Sequence, residues 1–76
     1  MEIIGDDEVT KEFGISIREA RIKKGLHQAD VAEQLGMSKA YYCYIEAGKR
    51  NIYFTTAVKI CRILDIDIKA LEKLLK

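Results

Sequence analysis

The sequence predicts a compact all-α domain built from five helices. Three observations lead to this fold class. Apolar residues recur at the three- and four-residue spacing of amphipathic helices. Glycines follow the first three of these apolar segments, and the 76 residues include no proline. A chain of this length forms one domain, and its core is small because only about 60% of the unfolded chain's surface becomes buried.

The first predicted helix spans about residues 11 to 24. Its apolar residues recur at helical spacing, with charged residues between them. These apolar residues are Phe13, Ile17, Ala20 and Ile22. Gly25 directly follows two lysines and provides a C-terminal stop.

Four further segments complete the prediction. The second helix spans about residues 28 to 35, and Gly36 ends it. The third begins at Ser38, whose hydroxyl can cap free backbone N–H groups, and continues to about residue 47. The fourth spans about residues 55 to 64 and the fifth begins after Asp67, a good N-cap residue. The expected apolar face of the fourth helix consists of Val58, Ile60, Cys61 and Leu64.

Charge is distributed unevenly along the chain. Residues 1–12 carry a net charge of −4, whereas residues 16–50 carry +3 and residues 51–76 carry +2. We therefore interpret 1–12 as an acidic leader and 13–76 as the folded domain, which is moderately basic. Three interpretations of the leader stay open: disorder, extension of the first helix, or contact with a partner.

The residues expected of metal sites and enzymes are absent from the sequence pattern. Cys43 and Cys61 lie 18 residues apart and His27 is the only histidine, so we expect neither a metal nor another cofactor. Two cysteines within apolar helical patterns are typical of buried thiols in a cytoplasmic protein. There is no catalytic constellation of Ser, His and Asp or of Cys and His, no phosphate-binding loop, and no apolar run of about 18 residues. We expect neither an enzyme nor a membrane protein.

The second and third helices have the features of a helix-turn-helix. Ala32 supplies the small residue at the helix crossing, and Gly36 supplies a turn residue that tolerates positive φ. Apolar residues that would fix the angle between the helices are Val31, Leu35, Met37 and Ile45. Helical spacing leaves one outer face on the third helix, formed by Lys39, Ala40, Cys43 and Tyr44. A helix presented in this way fits the major groove of DNA.

The stretch from Leu26 to Arg50 follows the pattern LxQxxxAxxLGxSxxYxxxIExGKR. On these residues the chain resembles the lambda-repressor-like, Cro/cI-type helix-turn-helix family (xenobiotic response element), over about residues 15 to 72. Small phage repressors and restriction-modification controller proteins are members of comparable size. The resemblance implies five helices, double-stranded DNA binding through the third, transcriptional regulation and a homodimer on an inverted-repeat operator. Repression and activation both stay open.

The resemblance also implies roles for individual residues. The residues that would contact bases are Lys39, Ala40, Cys43 and Tyr44. Phosphate contacts fall to Gln28, Tyr41, Lys49, Arg50 and Asn51. Phosphate contacts set the register on DNA and base contacts set the sequence that is read. Arg21 and Glu46 match a structural ion pair that ties the first helix to the end of the third.

Departures from the family pattern carry expectations of their own. His27 stands where a hydroxyl or amide cap is usual, so its cap is weaker. Tyr42 replaces an aliphatic core residue, so its hydroxyl must find a partner or reach the surface. Because Ala40 and Cys43 offer little hydrogen bonding, base reading rests on Lys39 and Tyr44, together with thymine methyl groups and DNA shape.

Three further hypotheses accompany DNA binding. Apolar residues beyond the needs of one small core often mark an interface, and they support the expected homodimer. These residues are Ile52, Tyr53, Ile63, Ile66, Ile68, Leu74 and Leu75. The alternative function is a protein-interaction module, an antitoxin or adaptor, whose helix-turn-helix mainly serves a partner. A redox sensor that uses Cys43 is a third reading.

Overall fold

The computed structural model describes residues 3–4 and 7–74, and within them the chain forms five helices. These helices are α1 (Asp7–Lys23), α2 (Gln28–Leu35), α3 (Lys39–Glu46), α4 (Phe54–Ile63) and α5 (Ile68–Leu74). The structure confirms the predicted all-α fold class and the number of helices. In the part of the chain that the structure describes, no helix has the length and apolar character needed to cross a membrane.

Helix α1 begins four residues earlier than predicted, at Asp7. Residues 7–12 of the acidic leader are therefore the first turns of this helix, whereas residues 1, 2, 5 and 6 lie outside the described residues. Thr10 is buried, and its hydroxyl donates to the carbonyl oxygen of Gly48 at 3.5 Å. The extension thus packs against the end of α3.

A short antiparallel strand pair joins the leader to the loop after α3. Strand β1 (Ile3–Ile4) pairs with β2 (Ile52–Tyr53), with Ile3 opposite Tyr53 and Ile4 opposite Ile52. This pair was not predicted from the sequence, because two residues are too few to show the alternation that marks a strand.

Side chains from helices α1, α2, α3 and α4 and from strand β2 form one apolar core. Its buried side chains are Phe13, Ile17, Val31, Ala32, Tyr42, Ile45, Ile52, Ala57, Ile60, Cys61 and Leu64. The predicted core positions on α2 and α3 and the placement of Cys61 are confirmed.

Two predictions were wrong. Ile22 is 56% exposed. It lies five residues after Ile17, so it points about 140° away from that core residue around the helix. Ile52 is only 3% exposed, because the strand pair brings it over the core, so it is not surplus apolar surface.

The ends of α2, α3 and α5 have the predicted capping residues. Gly36 ends α2 with φ of 70° in the left-handed region, which suits a residue without Cβ. Ser38 caps α3, since its Oγ accepts from the backbone N–H of Tyr41 at 3.1 Å. Asp67 precedes α5 and accepts from the backbone N–H of Lys69 at 2.9 Å. At α2 the side chain of Asp30 accepts from the backbone N–H of His27 at 2.8 Å, a contact that the sequence analysis missed.

Gly14 marks the close approach of α1 to the end of α3. A Cβ at this position would lie 2.9 Å from the backbone carbonyl carbon of Glu46 and 3.0 Å from the carbonyl oxygen of Ile45. These are backbone atoms, so neither can turn away as a flexible side chain would. No role was predicted for this glycine, although a glycine inside a predicted helix is itself a signal of close packing.

We expect Gly14→Ala to lower the free energy of unfolding by up to about 2 kcal/mol. Overpacking usually costs about 1–3 kcal/mol, and alanine returns about 1 kcal/mol in a helix interior. Urea unfolding followed by circular dichroism measures the difference. Ser16→Ala, at an exposed position of the same helix, is the control and is expected to change stability by less than about 0.5 kcal/mol. A more stable Gly14→Ala variant would refute the close approach.

Candidate nucleic-acid interface

Helices α2 and α3 pack against one another and leave one side exposed. Val31, Ala32 and Ile45 are buried where the helices meet, and the backbone N–H of Met37 in the turn donates to the carbonyl oxygen of Ala32 at 3.0 Å. On the outer side of α3, three of the four predicted base-contact residues are exposed. These are Lys39, Ala40 and Tyr44. The fourth, Cys43, is half-buried.

An open depression lies between the start of α2 and the start of α3. Its volume is about 480 Å³, and its lining includes Arg21, Gln28 and Lys39. The fold thus brings a residue with a predicted phosphate contact (Gln28) and one with a predicted base contact (Lys39) to the rim of one concavity.

The side chain of Gln28 links α2 to α3. Its Nε2 donates to Glu46 Oε1 at 3.2 Å, and its Oε1 accepts from the thiol of Cys43 at 2.9 Å. The phosphate contact expected of Gln28 stays a prediction. The amide nitrogen carries a second hydrogen, which these two hydrogen bonds leave available for that contact. The same contact turns the Cys43 thiol toward α2.

Arg21 and Glu46 form an ion pair between α1 and the end of α3. Arg21 Nε donates to Glu46 Oε2 at 2.7 Å, and Nη2 donates to Oε1 at 3.2 Å. Nη1 donates to the carbonyl oxygen of Leu26 at 2.9 Å. The Arg21 side chain is 12% exposed and that of Glu46 is 3% exposed. The pair therefore fixes the end of α3 against both α1 and the loop that leads to α2.

The charges of this pair stabilise one another. Burial alone raises the pKa of the Glu46 carboxylate, but the hydrogen bond from Arg21 and the neighbouring Tyr42 and Gln28 favour the charged form. The net result is a pKa for Glu46 below its ordinary value. The hydrogen bond to Glu46 in turn raises the pKa of Arg21.

Tyr42 has a fully buried side chain with an unsatisfied hydroxyl. Its exposure is 0%, and among the described residues no partner meets hydrogen-bonding geometry with its Oη. Burial raises the pKa of this hydroxyl well above its ordinary value, and its interaction with the nearby Glu46 carboxylate adds to the effect. The expectation that this hydroxyl finds a partner or reaches the surface was wrong.

We expect Tyr42→Phe to raise the free energy of unfolding by about 1 kcal/mol, because it removes a buried polar group that lacks a partner. The raised pKa adds a pH dependence. Above the unfolded pKa of about 10, the hydroxyl ionises in the unfolded chain but stays neutral in the folded one, so the wild-type protein loses stability as the pH rises toward the folded value. The variant lacks that alkaline loss. Urea unfolding at pH 7 and pH 10.5 measures both effects, and a destabilised variant at pH 7 would show that the hydroxyl has a partner.

A cation lies against two aromatic rings beside α3. The guanidinium carbon of Arg50 is 5.9 Å from the ring centre of Tyr41 and 5.6 Å from that of Tyr44. Lys49 and Asn51, the other predicted phosphate contacts of this loop, are exposed. Sequence reasoning gave these residues separate roles and missed the cluster of Tyr41, Tyr44 and Arg50, which forms only when the loop folds back.

Metal-binding side chains are not gathered anywhere in the described part of the chain: no group of three or more His, Cys, Asp or Glu residues could hold an ion there. Both cysteines are free thiols. Burial raises the pKa of the Cys61 thiol, which favours its neutral, unreactive form.

Residues 17–71 match the protein family described as Helix-turn-helix. The chain is 32% identical over 62 residues to the ImmF control region 10 kDa protein of Bacillus phage phi105, with 82% of this chain and 69% of the relative covered. It is 31% identical over 61 residues to the uncharacterized HTH-type transcriptional regulator YqaE of Bacillus subtilis strain 168, with 80% of this chain covered. The chain spans about half of the length of that second relative, 53%.

Among solved structures, the chain is similar to the crystal structure of the restriction-modification controller protein C.AhdI from Aeromonas hydrophila. The TM-score is 0.74 at 33% identity, and the match covers 87% of this chain and 98% of that one. The family match spans most of the chain and includes the whole α2–turn–α3 unit. The chain therefore belongs to the Cro/cI-type helix-turn-helix family, and it is a DNA-binding transcriptional regulator rather than an enzyme.

Proposed function

We propose that this regulator binds an inverted-repeat operator in double-stranded DNA as a homodimer, with α3 of each protomer in the major groove. The observation that carries the proposal is the exposed face of α3, with Lys39, Ala40 and Tyr44, on a helix whose end is tied to α1 by the Arg21–Glu46 ion pair. A rigid support favours base reading, because side chains must arrive at base edges with little freedom. We place the regulator in the cytoplasm.

Base reading rests on Lys39 and Tyr44. A lysine ammonium suits the O6 and N7 acceptors of guanine, and a small apolar side chain such as Ala40 suits a thymine methyl group. The Cys43 thiol donates to Gln28 at 2.9 Å. Its contribution to base reading is therefore the shape of its side chain and not a hydrogen bond to a base.

Phosphate contacts flank this face on two sides. On one side, α2 begins at Gln28, and the backbone N–H groups of a helix N-terminus favour phosphate. On the other side, Lys49, Arg50 and Asn51 follow α3 and are exposed. Contacts on both sides of α3 would fix the helix in the groove before any base is read.

The proposed dimer uses apolar surface at the C-terminal half of the domain. Tyr53 is 51% exposed, and Ile63, Ile66 and Ile68 are only half-buried. The Leu74 side chain and Leu75, which the sequence analysis included in this surface, lie outside the described residues. A two-fold dimer presents its two copies of α3 about 34 Å apart, one turn of DNA.

Sedimentation at micromolar concentration tests the dimer, and we expect twice the monomer mass. Binding to a mixed-sequence duplex, measured by fluorescence anisotropy from 50 to 200 mM salt, tests the DNA contacts. Affinity is expected to fall steeply, because each neutralised phosphate releases counterions. A monomer would contradict the dimer, and binding that is indifferent to salt would contradict the phosphate contacts.

A protein-interaction role is the second candidate, and one observation favours it. Ile15 and Ile22 are 57% and 56% exposed and lie seven residues apart, on the same side of α1. Duplex binding by the wild-type protein separates the candidates. A domain that acts through α3 on DNA should bind, and Ile15→Ser/Ile22→Ser should leave its affinity unchanged, whereas a domain that serves a protein partner through α1 would bind no duplex.

A further inference from the structure

Arg50 lies where the chain folds back onto α3. The backbone N–H of Lys49 donates to the carbonyl oxygen of Tyr44 at 3.0 Å, and that of Gly48 donates to Ile45 at 3.1 Å. These bonds close the end of α3 and direct the next residue along the helix. Tyr41 and Tyr44 are three residues apart on α3, so their rings are neighbours on one side of the helix. The guanidinium lies 5.9 Å and 5.6 Å from their centres.

Ring contacts at this distance are attractive. A guanidinium within about 6 Å of a ring centre interacts with the electron-rich face of the ring. A guanidinium is planar and weakly hydrated, so it can stack through its faces while its N–H groups point outward from its edge. Contact with two rings therefore leaves the donors that suit a phosphate available.

Orientation before binding has a consequence for affinity. A long, exposed arginine loses side-chain freedom when it binds, and this loss weakens binding. A side chain already confined by two rings loses less. Arg50 should thus contribute more to DNA affinity than a free cation at the same place.

We propose that Tyr41 and Tyr44 are positioning residues that hold Arg50 beside α3 as a preoriented phosphate contact. The inference rests on the proposed function, since it assumes that α3 binds DNA. It gives Tyr44 a second role beyond the base contact expected of its hydroxyl. The ring orients Arg50, and the hydroxyl is free to reach the groove. Tyr→Phe keeps the ring and Tyr→Leu removes it, so the two roles are separable.

The free protein tests the cluster without DNA. In proton NMR, the side-chain δ protons and the Nε–H proton of Arg50 should be shifted upfield by the two rings. The shift should persist in Tyr41→Phe/Tyr44→Phe and disappear in Tyr41→Leu/Tyr44→Leu. Unshifted Arg50 protons in the wild-type protein would overturn the proposal whatever the DNA result.

A double-mutant cycle tests the role in binding, with a mixed-sequence duplex as the probe. Arg50→Ala should lower affinity several-fold and reduce the salt slope by about one unit in the wild-type and Phe/Phe backgrounds. In the Tyr41→Leu/Tyr44→Leu (Leu/Leu) background, Arg50→Ala should lower the logarithm of the affinity by less than half as much. Lys49→Ala is the matched cation control and should cost the same in all three backgrounds.

Each outcome has one meaning. An equal cost of Arg50→Ala in the Leu/Leu and wild-type backgrounds overturns the positioning role and leaves the proposed function intact. Failure of the wild-type protein to bind any duplex overturns the proposed function itself. If Leu/Leu does not give the wild-type circular dichroism spectrum, Tyr44→Leu alone completes the cycle, because Tyr44 is 46% exposed and its removal leaves the core intact.

Discussion

Glu46→Ala is expected to lower the free energy of unfolding by about 3–5 kcal/mol, the usual cost of removing one partner from a buried ion pair. The Arg21 side chain is only 12% exposed, so water replaces the lost carboxylate incompletely. Of its hydrogen bonds, the one to the Leu26 carbonyl oxygen remains. Gln28 Nε2 loses its acceptor as well. Such a loss is a large part of the stability of a small domain.

Urea unfolding at pH 7 measures this loss. Glu33→Ala is the control, because Glu33 is exposed on α2, and it should change stability by less than about 0.5 kcal/mol. Should Glu46→Ala be too unstable to study, Arg21→Met/Glu46→Leu replaces both charges with apolar groups and should recover most of the loss. A Glu46→Ala variant as stable as the control would mean that the pair contributes nothing.

The lowered pKa of Glu46 gives the same pair an acid signature. The folded pKa lies below the unfolded value of about 4.3, so the charged carboxylate stabilises the fold above that pH. This contribution is lost as the pH falls through the folded value. Glu46→Gln lacks it, so the stability difference between wild type and Glu46→Gln should narrow between pH 5 and pH 2. A difference that does not change with pH would contradict the assignment.

Lys39→Ala is expected to weaken binding to the operator by about 1–3 kcal/mol, the discrimination that one good base contact provides. Lys39 is exposed at the first position of α3, where side chains reach base edges. Fluorescence anisotropy on the operator and on a mixed-sequence duplex measures the change. The loss should be larger on the operator.

Lys24→Ala is the matched control for this lysine. Its ammonium lies by the turn between α4 and α5, 2.7 Å from Asp65 Oδ2 and 3.2 Å from the carbonyl oxygen of Ile63. Its removal should leave the affinity for both duplexes unchanged. Equal losses on the two duplexes for Lys39→Ala would make Lys39 a phosphate contact and would contradict a role in base reading.

The helix-turn-helix unit could be predicted from sequence because its determinants are local. Gly36 meets a backbone requirement of the turn, Ser38 caps the helix that follows, and both effects act within a few residues. The start of α1 was harder to predict. Its first turns, residues 7–12, are mostly charged and carry only Val9 as a large apolar residue. What holds them is tertiary contact between Thr10 and the end of α3.

The candidate site likewise has features that local spacing predicts and features that depend on tertiary packing. The exposed face of α3 follows from helical spacing alone, and the Arg21–Glu46 pairing came from the family resemblance. The side chain of Gln28 was assigned to phosphate, but in the structure it bonds to Cys43 and Glu46. The contact of Arg50 with Tyr41 and Tyr44 depends on how the loop folds back. Neither spacing nor composition contains that information.

Selection of bound sequences from a random duplex pool tests the central claim most directly. The wild-type protein should recover an inverted repeat whose half-site centres lie about one helical turn apart, roughly 10 base pairs. Lys39→Ala/Tyr44→Ala should fold normally, since both side chains are exposed, and should lose that sequence. Recovery of the same repeat by the double variant would contradict base reading through α3, and recovery of nothing above background by the wild type would contradict operator binding itself.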